Sequence, residues 1–132
     1  MLAESVGLAL PDADFRRQQE VVEAFLAASR NGDFAVLLSL LDPDVTVHAD
    51  ATAAGTSTRL RGAGPVGKQA LAFSHRAKDA RVGLVDGTPA ILVTPGGRLA
   101  TVMTFTITNG RIVALEVIAD PTRLAQLIVG PT

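Results

Sequence analysis

The sequence lacks cysteine, tryptophan and tyrosine, so phenylalanine is its only aromatic residue. Without cysteine the chain can form no disulfide, no thiolate metal site and no cysteine nucleophile, and the absence fits a reducing cytoplasm. The length of 132 residues predicts one domain rather than two. Hydrophobic residues make up 48% of the chain, so we expect a core of valine, leucine, isoleucine and alanine with five phenylalanines as large anchors.

An excess of charge of one sign is also missing, because 12 basic residues face 13 acidic ones and the formal net charge is −1. Domains that bind nucleic acid usually show a basic excess, so we expect no direct contact with DNA. No hydrophobic run approaches the roughly 20 residues needed to span a bilayer. The first residues have neither a basic start nor a long apolar stretch, so a signal peptide is not predicted. We therefore expect a cytoplasmic protein that does not bind membranes.

The first third of the chain has the spacing of a helical hairpin. Apolar residues and Ser29 form one helical stripe between Asp14 and Arg30, and Asn31-Gly32 is a typical helix end. Asp33 can cap a short second helix that Asp42-Pro43 would end. Residues 1–12 are small, apolar-leaning and broken by glycine and proline, so we interpret them as a linker or tail before a domain at residues 13–130.

From Val45 onward the period changes to the alternation of a strand. A third helix is predicted from Gly64-Pro65 to about Ala77, followed by strands at residues 81–85, 90–94, 99–108 and 112–119. Asp86-Gly87 and Asn109-Gly110 predict tight hairpin turns, and Pro121 opens a last short helix. This order predicts an α+β fold in which a curved, mostly antiparallel sheet wraps around the N-terminal helices. Such a cone is open at its wide end, where a ligand would bind.

Only a few ionisable residues are candidates for a catalytic or metal-binding role. His48 and Asp50 share one face of their strand, where a histidine–carboxylate pair can act in acid–base catalysis, but we favour a solvated polar face on an edge strand. Glu116 is either a buried base or an exposed carboxylate, and we favour the exposed position. The position of His75 near the end of the third helix needs no catalytic explanation, because a cation at a helix C-terminus interacts favourably with the helix dipole. Two histidines without ligand spacing predict no metal site, and no cofactor is expected.

Three stretches resemble one group of proteins. Residues Phe25–Val45 are similar to the opening of SnoaL-like domains in the nuclear-transport-factor-2-like (NTF2-like) superfamily. Leu84–Val93 resembles the V-N-G-x-P hairpin of extracytoplasmic-function (ECF) sigma factors that carry a SnoaL-like C-terminal extension. Asp120–Leu127 resembles the terminal N-P-D-K-L motif of the same group. The resemblance covers about Asp14 to Leu127.

The resemblance implies a non-catalytic regulatory domain that contacts the sigma core or RNA polymerase in place of a separate anti-sigma factor. The sigma regions would then precede Met1, unless the chain is a stand-alone relative. The family also carries an Asp-Gly-Gly-Gly-Lys stretch, of which only the aspartate is kept at Asp50–Gly55. Asp120 replaces the family's asparagine and Arg123 its lysine, and helix capping explains Asp120 equally well. The implied contact residues are Asp50, Val85, Asp86, Gly87, Pro89, Asp120, Pro121, Arg123 and Leu124.

Two alternatives stay open. One is a small enzyme of the SnoaL or ketosteroid-isomerase kind that uses His48, Asp50 or Glu116 as a base, although no tyrosine is present to supply a phenol donor. The other is a sensor that binds an unknown small ligand in the cone without chemistry. A homodimer formed through the outer face of the sheet is a further expectation.

Overall fold

Two consecutive helices come first in the described part of the chain, as the apolar spacing predicts. A computed structural model describes residues 12–50 and 58–130, so most of the predicted linker lies outside the described residues. Helix α1 spans Asp12–Asn31 and helix α2 spans Phe34–Leu40. Gly32 joins them with a φ of 65°, and the Asp33 side chain accepts a hydrogen bond from the backbone N–H of Val36 at 3.2 Å. The side chains of the predicted stripe, Val22, Phe25, Leu26 and Ser29, are buried.

The first strand begins earlier than predicted. Strand β1 spans Leu41–Ala49, so Asp42-Pro43 lies inside a strand and does not end the helix. Leu41 is almost fully buried and pairs with Ile112, which draws the chain into the sheet directly after α2. A short strand β2 follows at Thr58–Arg61.

The third helix is shorter than predicted. Helix α3 spans Ala63–Ala72, and Ser74–Asp79 forms a 3₁₀ helix. His75 therefore lies in a 3₁₀ turn and not in the last turn of an α-helix, which corrects the prediction. Arg30 of α1 explains the tighter winding, because its guanidinium donates hydrogen bonds to the backbone carbonyls of Ala77 and Ala80 and fixes this stretch against the long helix.

A meander completes the fold. Strands β3 (Ala80–Val85) and β4 (Thr88–Val93) form one hairpin, and β5 (Thr101–Thr108) and β6 (Arg111–Ile118) form the next. Both turns adopt the predicted positive φ angles, at Asp86-Gly87 (51° and 85°) and Asn109-Gly110 (53° and 77°). Helix α4 (Pro121–Ala125) follows, and a two-residue strand β7 (Val129–Gly130), which the sequence did not predict, pairs with β3.

The strands form one seven-stranded sheet in the order β2-β1-β6-β5-β4-β3-β7. All neighbouring pairs are antiparallel except β1 and β6, which are parallel. Strand β1 lies between β2 and β6, so the expectation that His48 belongs to an edge strand is wrong. The mixed α+β fold and the mostly antiparallel sheet are as predicted.

The two faces of the sheet bury different clusters. The inner face packs against the helices and forms the main core around Val22, Phe25, Leu37 and Ile91. The outer face carries a smaller cluster that the end of the chain covers: Leu124 and Leu127 pack against Val85, Ala90, Leu92 and Val102. The C-terminal segment is therefore part of the fold and positions the residues considered next.

Candidate functional site

The inside of the cone holds a cavity of about 760 Å³ between the sheet and helix α3. Its floor is apolar and includes Phe25, Val66 and Met103. None of the three candidate bases His48, Asp50 and Glu116 is among the lining residues that the structure describes. Three ionisable residues are among the lining residues, Arg59, His75 and Arg76, but Arg59 is the register partner of His48 and its side chain lies on the outer face of the sheet.

His48 and Glu116 lie on the outer face of the sheet instead. They are register partners on β1 and β6, and their strand neighbours Val47 and Leu115 pack into the inner core. Because successive side chains alternate between faces, His48 and Glu116 point away from the cone. His48 Nδ1 is 3.5 Å from Glu116 Oε2, above a shallow hollow of about 530 Å³ on this face.

Asp50 is not the partner that the strand spacing suggested for His48. It follows the last residue of β1 and is only 8% exposed. Its Oδ2 accepts hydrogen bonds from the backbone N–H groups of Ala119 at 2.8 Å and Asp120 at 2.9 Å. The expectation of a solvated carboxylate is therefore wrong for Asp50, because this side chain fixes the chain where β6 leads into α4.

Arg123 connects these groups to the last helix. Its guanidinium donates a 2.9 Å hydrogen bond to Glu116 Oε2 and lies 3.9 Å from Asp50 Oδ2. The Arg123 hydrogen bond lowers the pKa of Glu116 below its ordinary value of 4.5; partial burial acts in the opposite direction, and the charge of Arg123 and the His48 ring add to the lowering. Asp120 caps α4 by accepting a hydrogen bond from the backbone N–H of Arg123.

The β3–β4 turn contacts the other end of the same segment. Asp86 donates its backbone N–H to the carbonyl of Ile128 at 2.8 Å and accepts the backbone N–H of Ile128 on its Oδ1 at 3.0 Å. Two-residue turns of this kind need positive φ at both positions, which Asp86 and Gly87 supply. Ile128 itself points outward and is 75% exposed.

The two motif stretches thus meet, because the segment Asp120–Gly130 is held by Asp50 at one end and by the Asp86 turn at the other. We call this segment together with the Val85–Thr88 turn the C-terminal surface. Of the residues that the resemblance implied, Asp86, Gly87 and Pro121 are exposed and Arg123 and Asp120 are half-buried. Val85 and Pro89 are buried and Leu124 packs on the outer cluster, so these three support the surface from beneath.

Sequence reasoning missed two parts of this surface. The Arg123–Glu116 ion pair joins residues of opposite charge seven positions apart, but only the turn at Ala119–Asp120 brings them together. Ile128 and Val129 were assigned no contact role, because neither their exposure nor strand β7 follows from the local sequence pattern. Among the described residues there is no group of three side chains able to hold a metal ion. No helix in residues 12–50 or 58–130 has the length and apolar character to cross a membrane.

The architecture matches solved structures of NTF2-like and SnoaL-like proteins. A SnoaL-like protein from Burkholderia thailandensis superposes with a TM-score of 0.57 and 21% identity, covering 83% of this chain and 97% of that one. This similarity shows the fold. No protein-family model matches the chain. The chain therefore has the SnoaL-like fold of the NTF2-like class.

Its relatives in sequence are sigma factors. The chain is 35% identical over 108 residues to the probable ECF RNA polymerase sigma factor SigI of Mycobacterium tuberculosis, covering 81% of this chain and 36% of the relative. It also superposes on 44% of the ECF sigma factor SigJ of the same species, with a TM-score of 0.68 and 26% identity over 82% of this chain. The chain is therefore similar in sequence and structure to a part of these ECF sigma factors, and it spans about a third of the length of the curated relatives it matches.

Proposed function

We propose that this domain regulates transcription initiation by contacting the core regions of an ECF sigma factor, or RNA polymerase, through the C-terminal surface. The observation that carries the proposal is that the two motif stretches, distant in sequence, meet: Leu124 and Leu127 pack on the cluster of Val85, and Asp86 is hydrogen-bonded to Ile128, the residue after the second stretch. The similarity to SigI and SigJ supports the same role. We further propose that the domain spans residues 13–130 and that the preceding residues act as a linker.

The C-terminal surface has the features of a protein contact. Ile128 and Val129 are 75% and 39% exposed, and they adjoin the exposed acidic side chain of Asp86. Val129 belongs to β7, the last strand of the sheet order among the described residues, so its outer edge can accept a further strand. An apolar side chain surrounded by polar groups on a short strand is a typical contact for a folded protein partner.

A regulatory role is favoured over an enzyme of the isomerase kind by the placement of the candidate bases. General acid–base catalysis needs the base within hydrogen-bonding reach of a bound substrate. His48 and Glu116 point to the outer face, and Asp50 is engaged with two backbone N–H groups. The apolar cavity, where a substrate would bind, faces the opposite side of the sheet.

The proposal is tested in a chimera in which this chain replaces the matching region of SigI. Ile128→Asp places a charge on the C-terminal surface, whereas Val36→Asp places the same charge on an exposed apolar residue of α2 in the helix layer. We expect Ile128→Asp to change transcription from a SigI-dependent promoter several-fold and Val36→Asp to leave it unchanged. Equal output from the wild-type chimera and both variants would show that the C-terminal surface has no regulatory contact.

A further inference from the structure

We propose that the cone cavity binds a small organic acid, with the apolar body of the ligand against the floor and its carboxylate beside Arg76 at the mouth. The cavity measures about 760 Å³, which lies within the range of small-molecule sites. The site is on the inner face of the sheet, opposite the C-terminal surface, so its ligand-binding role does not depend on the proposed sigma contact.

The charge at the cavity determines which sign of charge a ligand should carry. Arg76 carries the permanent charge at its mouth beside His75, since the side chain of Arg59 shares the outer face with its register partner His48; no aspartate or glutamate is among the lining residues that the structure describes. Residues 51–57, which connect β1 to β2, contain no ionisable side chain, so they add no negative charge whatever their position. A cavity with apolar walls and an arginine at its mouth favours an anion with an apolar body over a neutral or cationic ligand.

Arg76 is held in the orientation that such a ligand needs. Its Nη2 donates a 3.1 Å hydrogen bond to the hydroxyl of Thr101, which is only 4% exposed. The guanidinium also lies over the Phe73 ring, 5.7 Å from its centroid. These two contacts restrict the side chain, and a guanidinium keeps further N–H donors for a carboxylate, which it binds through two parallel hydrogen bonds.

The walls fit an apolar body of moderate width. Met103, Leu115 and Val117 line the side formed by the sheet, and Phe73 lines the side formed by the helix. Alanines at positions 49, 70 and 72 leave the space between these walls open. A ligand that enters with its acid group last would bury its apolar surface here and leave its charge at the mouth, where Arg76 is exposed to solvent.

Calorimetry with decanoate and decanol tests the proposal, because the two probes share an apolar chain and differ in the acid group. We expect the wild-type chain to bind decanoate at least about tenfold more tightly than decanol, since a charge-assisted hydrogen bond contributes that much. Arg76→Gln should remove this preference, Arg76→Lys should restore part of it, and Arg111→Gln, on an exposed residue outside the cavity lining, should leave it intact.

Thermal unfolding of each variant shows whether it is folded. Thr101→Val tests the positioning of Arg76 separately: it should weaken the binding of decanoate and leave the binding of decanol unchanged. The proposal is overturned if the wild-type chain binds neither probe, if it binds both equally, or if Arg76→Gln keeps the preference for decanoate. Loss of the sigma contact in the Ile128→Asp chimera has no bearing on these outcomes.

Discussion

The Asp50 carboxylate accepts hydrogen bonds from two successive backbone N–H groups, at Ala119 and Asp120, while it is almost fully buried. A buried donor that loses its acceptor costs about 1–3 kcal/mol, and this acceptor serves two donors. At the scale of single residues, Asp50 is thus a structural anchor for the C-terminal segment. That role is distinct from the acid–base role its spacing from His48 suggested.

Asp50→Ala should therefore lower the free energy of unfolding by about 2 kcal/mol or more. Asp50→Asn should cost less, because the amide oxygen can still accept from both N–H groups. Asp44→Asn is the matched control: Asp44 is 78% exposed, and its carboxylate lies 3.6 Å from Arg61 in an exposed ion pair. Urea unfolding at neutral pH measures all three. An Asp50→Ala protein as stable as the Asp44→Asn protein would contradict the anchoring role.

The second prediction concerns Glu116 and the dependence of stability on pH. Its pKa is lowered in the folded protein, mainly by the Arg123 hydrogen bond, so the ionised form stabilises the fold above the ordinary pKa of 4.5 and this contribution is lost as the pH falls through the lowered folded-state value. The pair is partly exposed and screened, so Glu116→Gln should cost no more than about 1 kcal/mol at neutral pH.

Unfolding of wild-type and Glu116→Gln protein at neutral pH and at a pH well below 4.5 checks this prediction. The stability difference should be present at neutral pH and vanish in acid. A difference that grows as the pH falls would show that the Arg123 contact does not lower the pKa of Glu116.

At the scale of elements, the outer cluster depends on close approach between β3 and β4. Gly83 pairs with Ala90, and a Cβ at position 83 would lie 2.6 Å from Cδ1 of the neighbouring Leu92. Leu92 is fully buried beneath the C-terminal segment, so it has little room to move. The absence of a side chain at Gly83 is therefore what allows Leu124 and Leu127 to pack where they do.

Gly83→Ala should destabilise the protein by about 1–3 kcal/mol, as overpacking of a core does. Gly64→Ala is the control: Gly64 lies in α3, its added Cβ would meet no atom within 4 Å, and alanine favours the helix. This variant should be neutral or more stable by up to about 1 kcal/mol. Equal stability of the two variants in urea unfolding would contradict the tight packing at Gly83.

Elements with strong local signals could be predicted from sequence, and those set by distant contacts could not. The stripe of α1 and the Asn109-Gly110 turn carry their information within a few residues. The end of α3 depends instead on Arg30, far away in the chain, and β7 forms only because β3 offers an edge. The same holds for the candidate site. Its motifs could be recognised in the sequence, whereas the Arg123–Glu116 ion pair forms only when the end of the chain folds back on the sheet.

At the scale of the whole molecule, the sheet separates two surfaces with different chemistry. The inner face forms an apolar cavity with Arg76 at its mouth, and the outer face carries the C-terminal surface. This separation lets one small domain hold a ligand on one side and contact a protein on the other. A homodimer through the outer face stays a prediction, and it would compete with the proposed sigma contact for the same side of the sheet.

The central claim is that the C-terminal surface binds the sigma core or RNA polymerase. Its most direct measurement is the Kd between this chain and the remainder of SigI, supplied as a separate polypeptide with and without core RNA polymerase. We predict saturable binding that Ile128→Asp weakens at least about tenfold and Val36→Asp does not change. Absence of binding in both mixtures, or equal Kd values for the wild-type chain and Ile128→Asp, would contradict the account.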